Sequence, residues 1–230
     1  MKKIIAVMGN ISAGKTTLCE LIEKNWGFDF YREEVDEFVL NYYYGNRKEH
    51  AYNTQVFFLS SRFRNWWYMT ISPRSAVTDR IKEEDIYIFT EKNYRDRFLS
   101  KREKMILIHH YDAMKLKIPE PDLVIYPHTE VDELKFRIEK RLIQEGQVRE
   151  SERSLLSDRD TYLADLNELY EEFFPRYDGR KLRIESAEWN LVEEDGSIRY
   201  DSDDSKRLLN LIGEELEREP EGTNFSFPLI

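Results

Sequence analysis

Residues 3–17 read KIIAVMGNISAGKTT, an apolar run followed by a glycine-containing turn and the start of a helical pattern. The segment 9–16 matches the motif G-x-x-x-x-G-K-[ST]. In this motif the glycines let backbone N–H groups approach phosphates at the positive end of a helix. The motif predicts that Lys15 reaches the β- and γ-phosphates of a nucleoside triphosphate and that the Thr16 hydroxyl binds Mg²⁺. A glycine turn with a surface lysine is the alternative interpretation.

Strand and helix patterns alternate beyond this opening. Pro127 closes the fourth of the predicted strands, which lie at 3–8, 28–32, 75–78, 123–126 and 181–184. Helical patterns occupy 15–25, 51–69, 84–99, 101–117, 131–143, 162–174 and 205–217. Because parallel strands need crossover connections, this order predicts a doubly wound α/β domain with a mostly parallel sheet and helices on both faces. Ligands are expected outside the carboxyl ends of the strands.

The composition limits the choice of partners. The chain has 230 residues with 35 Lys and Arg against 45 Asp and Glu, a formal net charge of −10 and a mean hydropathy of −0.69. This balance argues against duplex nucleic acid or an anionic membrane as partner. Cys19 is the single cysteine, which favours a reducing cytoplasm. We expect one domain over 1–218, with a lid at about 141–160 and a tail over 219–230.

A phosphate-binding loop does not define the group that is phosphorylated. The base-reading motif N-K-x-D of GTPases is absent, and no apolar strand ends in the Asp-Glu pair with which ATPases hold metal and activate water. A kinase that acts on a small acceptor is therefore the leading hypothesis.

Four features resemble the deoxynucleoside kinases. They are the loop GNISAGKTT, Glu33 after the second strand, Gln55 in a long helix, and the pair Asp79-Arg80 after the third strand. The resemblance runs from Ile4 to about Ile184 and is strongest to the deoxycytidine, deoxyguanosine and deoxyadenosine kinase branch. It implies a five-stranded sheet, ATP and Mg²⁺ as cofactors, a homodimer, and transfer of the γ-phosphoryl group to the 5′-hydroxyl of a deoxynucleoside. The donor would be held by Gly9, Asn10, Ile11, Ser12, Ala13, Gly14, Lys15, Thr16 and Thr17.

The resemblance also implies catalytic roles. Glu33 would accept the proton of the attacking hydroxyl, as a general base must lie within hydrogen-bond reach of it. Glu34 stands where the family has proline, so the choice between these two carboxylates stays open. Arg80, with Lys15, would neutralise charge on the transferring group, and Asp79 would position Mg²⁺ directly or through water.

The acceptor would be held by a second set of residues. Gln55 and Arg62 lie two helical turns apart on one face, and a glutamine amide suits bidentate pairing with a base edge. By the resemblance, Arg62 and Asp85 form the pair of cytosine- and purine-accepting members, Phe89 stacks on the base, and Tyr44 binds the sugar 3′-hydroxyl. A purely structural Arg62–Asp85 ion pair is the alternative, and an aromatic core cluster is the alternative for Tyr44.

The predicted lid departs from the family pattern. The stretch 137–141 resembles the start of an R-x-x-R-x-R segment, in which Arg141 would bind the donor phosphates, but Ile143 replaces the last arginine. Arg149 or Arg153 could supply that charge, and Glu145 or Glu150 could bind the 3′-hydroxyl. Deoxyadenosine is the first predicted acceptor, followed by deoxycytidine and deoxyguanosine. A thymidylate-kinase-like nucleoside monophosphate kinase and a non-catalytic ATP-binding regulator remain as alternatives.

Overall fold

The computed structural model describes residues 1–144, 153–156 and 161–218. These residues contain five strands, β1 Ile4–Val7, β2 Asp29–Tyr31, β3 Ala76–Asp79, β4 Leu123–His128 and β5 Lys181–Glu185. The α-helices of the described residues are α1 Lys15–Trp26, α2 Glu37–Gly45, α3 Arg47–Ile71, α4 Glu91–Arg95, α5 Lys101–Lys115, α6 Val131–Gln144, α7 Tyr162–Phe173 and α8 Asp203–Glu217. A π-helical turn, Asp85–Thr90, precedes α4, and short 3₁₀ turns occupy Ser154–Leu156, Phe174–Arg176 and Ser186–Glu188.

The strands form one sheet in the order β2-β3-β1-β4-β5, and every strand pair is parallel. The predicted doubly wound α/β fold with five strands is therefore confirmed. Val7 at the end of β1 pairs with Asp79 of β3 and with Ile125 of β4. Because all strands run in one direction, their carboxyl ends meet at one edge, where the loops after β1, β2 and β3 lie together.

The core has two layers, one on each face of the sheet. Successive side chains of β1 point to opposite faces of the sheet, as the period of two in a strand requires. Ile4 and Ala6 belong to one buried cluster, and Ile5 and Val7 belong to the other. The first layer is completed by buried residues of α3, α5, α6 and α7, and the second by α1 and α8. Both faces of the sheet are thus covered, which explains why β1 is apolar at every position.

Several predicted boundaries were wrong by a few residues, as in α3, which begins at Arg47 and not at residue 51. Strand β4 continues through Pro127 to His128, and this is tolerated because β1 pairs only with β4 residues up to Ile125, so beyond that point β4 pairs on one side, with β5. The helix predicted over 84–99 begins as the π-helical turn and ends at Arg95. Arg97 adopts a φ of 62°, and the side chains of Ser100 and Glu103 form a capping box that starts α5.

Several predicted features lie outside the described residues. They are most of the lid, including Glu145, Arg149 and Glu150, and the tail over 219–230. Arg153 is described and exposed. Among the described helices, none has both the length and the apolar character that crossing a membrane requires.

Two of the four leucines of α8 provide a test of the second layer. Leu208 is 0% exposed, whereas Leu211 is 36% exposed. We predict that Leu208→Ala lowers the free energy of unfolding by about 2–5 kcal/mol, because the cavity cannot collapse fully. Leu211→Ala is the matched control and should change it by less than about 0.5 kcal/mol. Urea denaturation followed by circular dichroism measures both, and equal losses would show that α8 does not pack as described.

Candidate active site

The phosphate-binding loop joins β1 to α1 with an unusual backbone. Gly9, Ser12 and Gly14 have φ values of 145°, 62° and 90°, a region that favours glycine. Gly14 is the N-cap of α1, so the loop ends where the first helical N–H groups are exposed. The Lys15 ammonium donates to the Asn10 carbonyl at 2.8 Å. Burial lowers the pKa of Lys15, as does the charge of Arg80, while Asp79 and Glu33 oppose the shift.

Thr16 and Asp79 meet beside this loop. The Thr16 hydroxyl donates to Asp79 Oδ2 at 2.8 Å. Asp79 Oδ1 is buried and has no hydrogen-bond partner within the described part of the chain. These hard oxygen atoms suit Mg²⁺, which binds proteins through one or two such groups together with substrate phosphates and water. The residues present therefore fit the predicted metal ion.

Glu33 is held between two arginines. Its carboxylate accepts from Arg80 Nε at 2.9 Å to each oxygen and from Arg62 Nη2 at 3.0 Å. Burial alone would raise the pKa of Glu33, but the charges of Arg80 and Arg62 outweigh it and lower the pKa to about 2. Glu34 is exposed and bonds Ser61 and Arg64 instead. Of the two carboxylates that the sequence left open, Glu33 is the one that lines the cavity.

Arg62 and Asp85 form a buried bidentate ion pair. Arg62 Nε and Nη2 donate to Asp85 Oδ2 and Oδ1 at 2.8 Å and 3.1 Å. Gln55 lies on the same face of α3, is buried, and its carbonyl oxygen Oε1 has no hydrogen-bond partner among the described residues. Phe89 lies one helical turn beyond Asp85. The Arg80 guanidinium lies over its ring, 4.8 Å from the ring centroid. The ion pair that the sequence offered as a structural alternative is present, and it also faces the site.

Two further predicted residues, Tyr44 and Arg141, line the same cavity. Tyr44 is half-buried, with its ring edge-on to Tyr43 at a centroid distance of 5.1 Å. The neighbouring Tyr43 is buried, and its hydroxyl donates to Asn93 Oδ1 at 2.8 Å, which gives it a structural role. Arg141 of α6 donates from Nη2 to Ser12 Oγ at 3.0 Å. The predicted lid arginine therefore contacts the phosphate-binding loop.

A single cavity of about 880 Å³ contains these groups. Most of the predicted site residues line it, whereas Gly9, Asn10, Glu34 and Arg153 do not; the lining includes Ile11, Ser12, Ala13, Gly14, Lys15, Thr16, Thr17, Glu33, Tyr44, Gln55, Arg62, Asp79, Arg80, Asp85, Phe89 and Arg141. Residues that follow β5, among them Ser186 and Trp189, line it as well. The residues predicted to bind the donor and those predicted to bind the acceptor thus line one cleft at the carboxyl edge of the sheet.

Sequence reasoning missed two residues of this region. Glu84 is completely buried and bonds both Arg80 and the backbone of Gly9. Tyr170 of α7 donates to Glu84 at 2.5 Å. The run of charged residues over 79–85 directly after a buried strand is the signal that could have drawn attention to Glu84. Tyr170 carries no comparable signal, because a tyrosine on an apolar helix face is usually a core residue.

The fold is shared with solved deoxyadenosine kinases. The structure from M. mycoides with dCMP and a flexible dCDP bound superimposes with a TM-score of 0.72 at 22% identity, covering 92% of this chain and 99% of that one. The same protein with dATP bound gives a TM-score of 0.72 at 24% identity, covering 93% of this chain and all of that one. At these identities the likeness concerns the fold.

Sequence relatives extend the comparison to function. The deoxyadenosine/deoxycytidine kinase of Bacillus subtilis strain 168 is 28% identical over 201 residues, which are 85% of this chain and 88% of the relative. The deoxyguanosine kinase of the same organism is 31% identical, covering 60% of this chain and 66% of that protein. The deoxynucleoside kinase family model matches residues 5–214. Because this match covers nearly the whole chain, the chain belongs to the deoxynucleoside kinase family and is an enzyme that phosphorylates a nucleoside.

Proposed function

We propose that the enzyme transfers the γ-phosphoryl group of ATP to the 5′-hydroxyl of deoxyadenosine, with deoxycytidine and deoxyguanosine as further acceptors. One observation carries the choice of base. Gln55 presents a buried carbonyl oxygen that has no partner among the described residues; it lies in the cavity that also contains the Arg62–Asp85 pair and the phosphate-binding loop. A buried acceptor of this kind gains stabilisation from a donor on the ligand.

The hydrogen-bonding capacity of these groups favours a base with an exocyclic amine. Adenine and cytosine each present an amine beside a ring nitrogen acceptor, which matches the carbonyl oxygen and the amide N–H₂ of Gln55. Both Asp85 oxygens already accept from Arg62, yet each has a second lone pair with which it can accept from an amine. Thymine presents a carbonyl at the corresponding position, which would face the Asp85 carboxylate without a proton between them.

The same geometry supports the transfer step. Glu33 would accept the proton of the 5′-hydroxyl as a weak base, which suffices because a loose phosphoryl transfer is governed mainly by positioning and charge. Arg80 and Lys15 would balance the charge that spreads over the transferring group. Thr16 and Asp79 would hold Mg²⁺, which when bound neutralises phosphate charge. Phe89 would stack on the base, and Tyr44 would bind the 3′-hydroxyl.

Further features of the protein belong to this proposal. Residues 1–218 would form one domain, and two subunits would associate as a homodimer. The exposed apolar side chains of Trp67, Tyr68 and Ile71 at the end of α3, which are 49%, 49% and 62% exposed, support an interface there. The buried single cysteine, Cys19, supports a reducing cytoplasm, and the acidic composition supports the absence of nucleic-acid and membrane partners.

The acceptor range is tested by steady-state assays with ATP and Mg²⁺. We expect the highest kcat/KM with deoxyadenosine, lower values with deoxycytidine and deoxyguanosine, and the lowest with thymidine, because of the amine-accepting groups described above. The four deoxynucleoside monophosphates serve as comparison substrates. Activity on monophosphates alone would instead support a nucleoside monophosphate kinase, and binding of ATP without turnover of any acceptor would support a regulator.

The role of Glu33 is tested with its neighbour as control. Glu33→Gln should lower kcat by about 10²–10³-fold, because the base is lost and because Arg80 and Arg62 lose the anion that orients them. Glu34→Gln removes an equivalent carboxylate outside the cavity and should change kcat by less than about twofold. An unchanged rate in Glu33→Gln would remove Glu33 as base.

The pH dependence gives a second measure of the same carboxylate. Since the folded-state pKa of Glu33 is lowered to about 2, its ionised form is present at every pH well above that value and is lost only as the pH falls through it. The kcat/KM profile of the wild type should therefore show no acidic limb from Glu33 above about pH 4. A limb near pH 6 that is present in the wild type and in Glu34→Gln but absent in Glu33→Gln would contradict the arrangement.

The role of the Arg62–Asp85 pair in base choice is tested by replacing both residues together. Removal of one partner leaves the other charge buried and unpaired, at a cost of about 3–5 kcal/mol, so we choose the double variant Arg62→Met with Asp85→Ala. Its ratio of kcat/KM for thymidine over deoxyadenosine should rise by about tenfold or more, equivalent to about 1.4 kcal/mol. An unaltered ratio in a folded double variant would show that base choice is made elsewhere.

A further inference from the structure

Glu84 is a buried carboxylate that the proposed chemistry does not use. It lies between β3 and the π-helical turn and is 0% exposed. Its oxygen Oε1 accepts from the Gly9 N–H at 3.1 Å and from Arg80 Nη1 at 3.0 Å. Its oxygen Oε2 accepts from the Ile81 N–H at 2.8 Å. One side chain therefore joins the first glycine of the phosphate-binding loop to the arginine that faces the transferring group.

Tyr170 of α7 contacts the same three residues, Glu84, Gly9 and Arg80. Its hydroxyl lies 2.5 Å from Glu84 Oε1 and 2.9 Å from the Gly9 carbonyl, and Arg80 Nη1 donates to it at 3.1 Å. The ring is completely buried and stacks on Tyr126 with a centroid distance of 5.6 Å. A tyrosine held in this way can satisfy a neighbouring carboxylate without adding charge.

The backbone of Arg80 needs such support. Its φ is 79°, a conformation that costs a non-glycine residue about 1–3 kcal/mol and persists only where neighbouring contacts enforce it. The Arg80 N–H donates to the Val7 carbonyl at 2.9 Å, and the next N–H, that of Ile81, donates to Glu84. At the guanidinium, Nε faces Glu33 while Nη1 faces Glu84 and the Gly9 carbonyl. Arg80 is thus held at both edges.

We propose that Glu84 and Tyr170 are positioning residues, which hold the Arg80 guanidinium and the first glycine of the phosphate-binding loop at a fixed separation for phosphoryl transfer. This inference rests on the proposed function. Its energetic reason is preorganisation: a guanidinium that already points at the site needs no reorganisation when charge develops on the transferring group. Loss of the Glu84 and Tyr170 contacts would lower kcat more than it would change the KM of the deoxynucleoside. The base contacts that determine this KM would come from Gln55 and Asp85.

Glu83 provides a matched control one residue away. It is also buried, but its Oε1 accepts from Lys82 at 3.0 Å and from the Tyr111 hydroxyl at 2.9 Å, and it does not line the cavity. Glu83→Gln and Glu84→Gln therefore make the same chemical change at two buried sites of one loop, of which only one contacts Arg80 and Gly9.

The test measures kcat, the KM of deoxyadenosine and the KM of ATP in full-length Glu84→Gln, Tyr170→Phe, the double variant and Glu83→Gln. We expect Glu84→Gln to lower kcat by about tenfold or more and Tyr170→Phe by about threefold to tenfold, with the KM of deoxyadenosine changed by less than about threefold. The double variant should be little slower than Glu84→Gln alone, because the two residues act through one network. Glu83→Gln should keep kcat within about twofold.

Melting temperatures separate positioning from stability. If Glu84→Gln and Glu83→Gln lose equal kcat, or if the loss in Glu84→Gln follows its melting temperature across assay temperatures, the residue is structural and the inference is overturned. If Glu84→Gln does not fold, Tyr170→Phe decides by the same kcat and KM criteria. An unchanged kcat in both variants, with an active wild type, overturns this inference alone. A wild type that phosphorylates none of the four deoxynucleosides overturns the proposed function instead.

Discussion

The carboxylate of Glu33, which accepts from two buried arginines, is the interaction on which the arrangement of charges in the cavity depends. Glu33 follows β2, Arg80 follows β3, and Arg62 lies in the middle of α3. Asp85 is a second anion on Arg62, where it accepts from Nε and Nη2, so that positive and negative groups alternate from Arg80 to Asp85. Each charge has an opposite neighbour, and elements that are distant in the chain are held at one edge of the sheet.

Such an arrangement is not the most stable way to fill this space. Burial of an ion pair costs desolvation that its attraction often fails to recover, and apolar side chains of similar volume are commonly as stable or more so. The groups kept here instead have fixed directions, with Arg80 aimed by Glu33 on one side and by Glu84 on the other. Under the proposed function, these fixed cationic groups would stabilise the charge that develops on the transferring phosphoryl group.

The parts of the site that the sequence predicted are those with local patterns. The phosphate-binding loop is eight consecutive residues between a strand and a helix, and Gln55 and Arg62 share a helix face through their spacing alone. Other parts have no local pattern. The choice between Glu33 and Glu34 depends on which carboxylate faces the arginines, and the early end of the helix predicted over 84–99 depends on the competing cap at Ser100.

By itself, the sequence determined the order of strands and helices along the chain and the phosphate-binding loop, because hydrophobic period and glycine placement are properties of neighbouring residues. The resemblance to the deoxynucleoside kinases added further candidates such as Glu33, Arg62 and Asp85, which line the cavity. Only the tertiary structure decided that Tyr170 reaches Glu84 across 86 positions, that Pro127 stays within a strand, and that Arg80 adopts its strained backbone. Those outcomes follow from the order in which parallel strands associate, since that order brings together side chains whose separation in the chain follows no period.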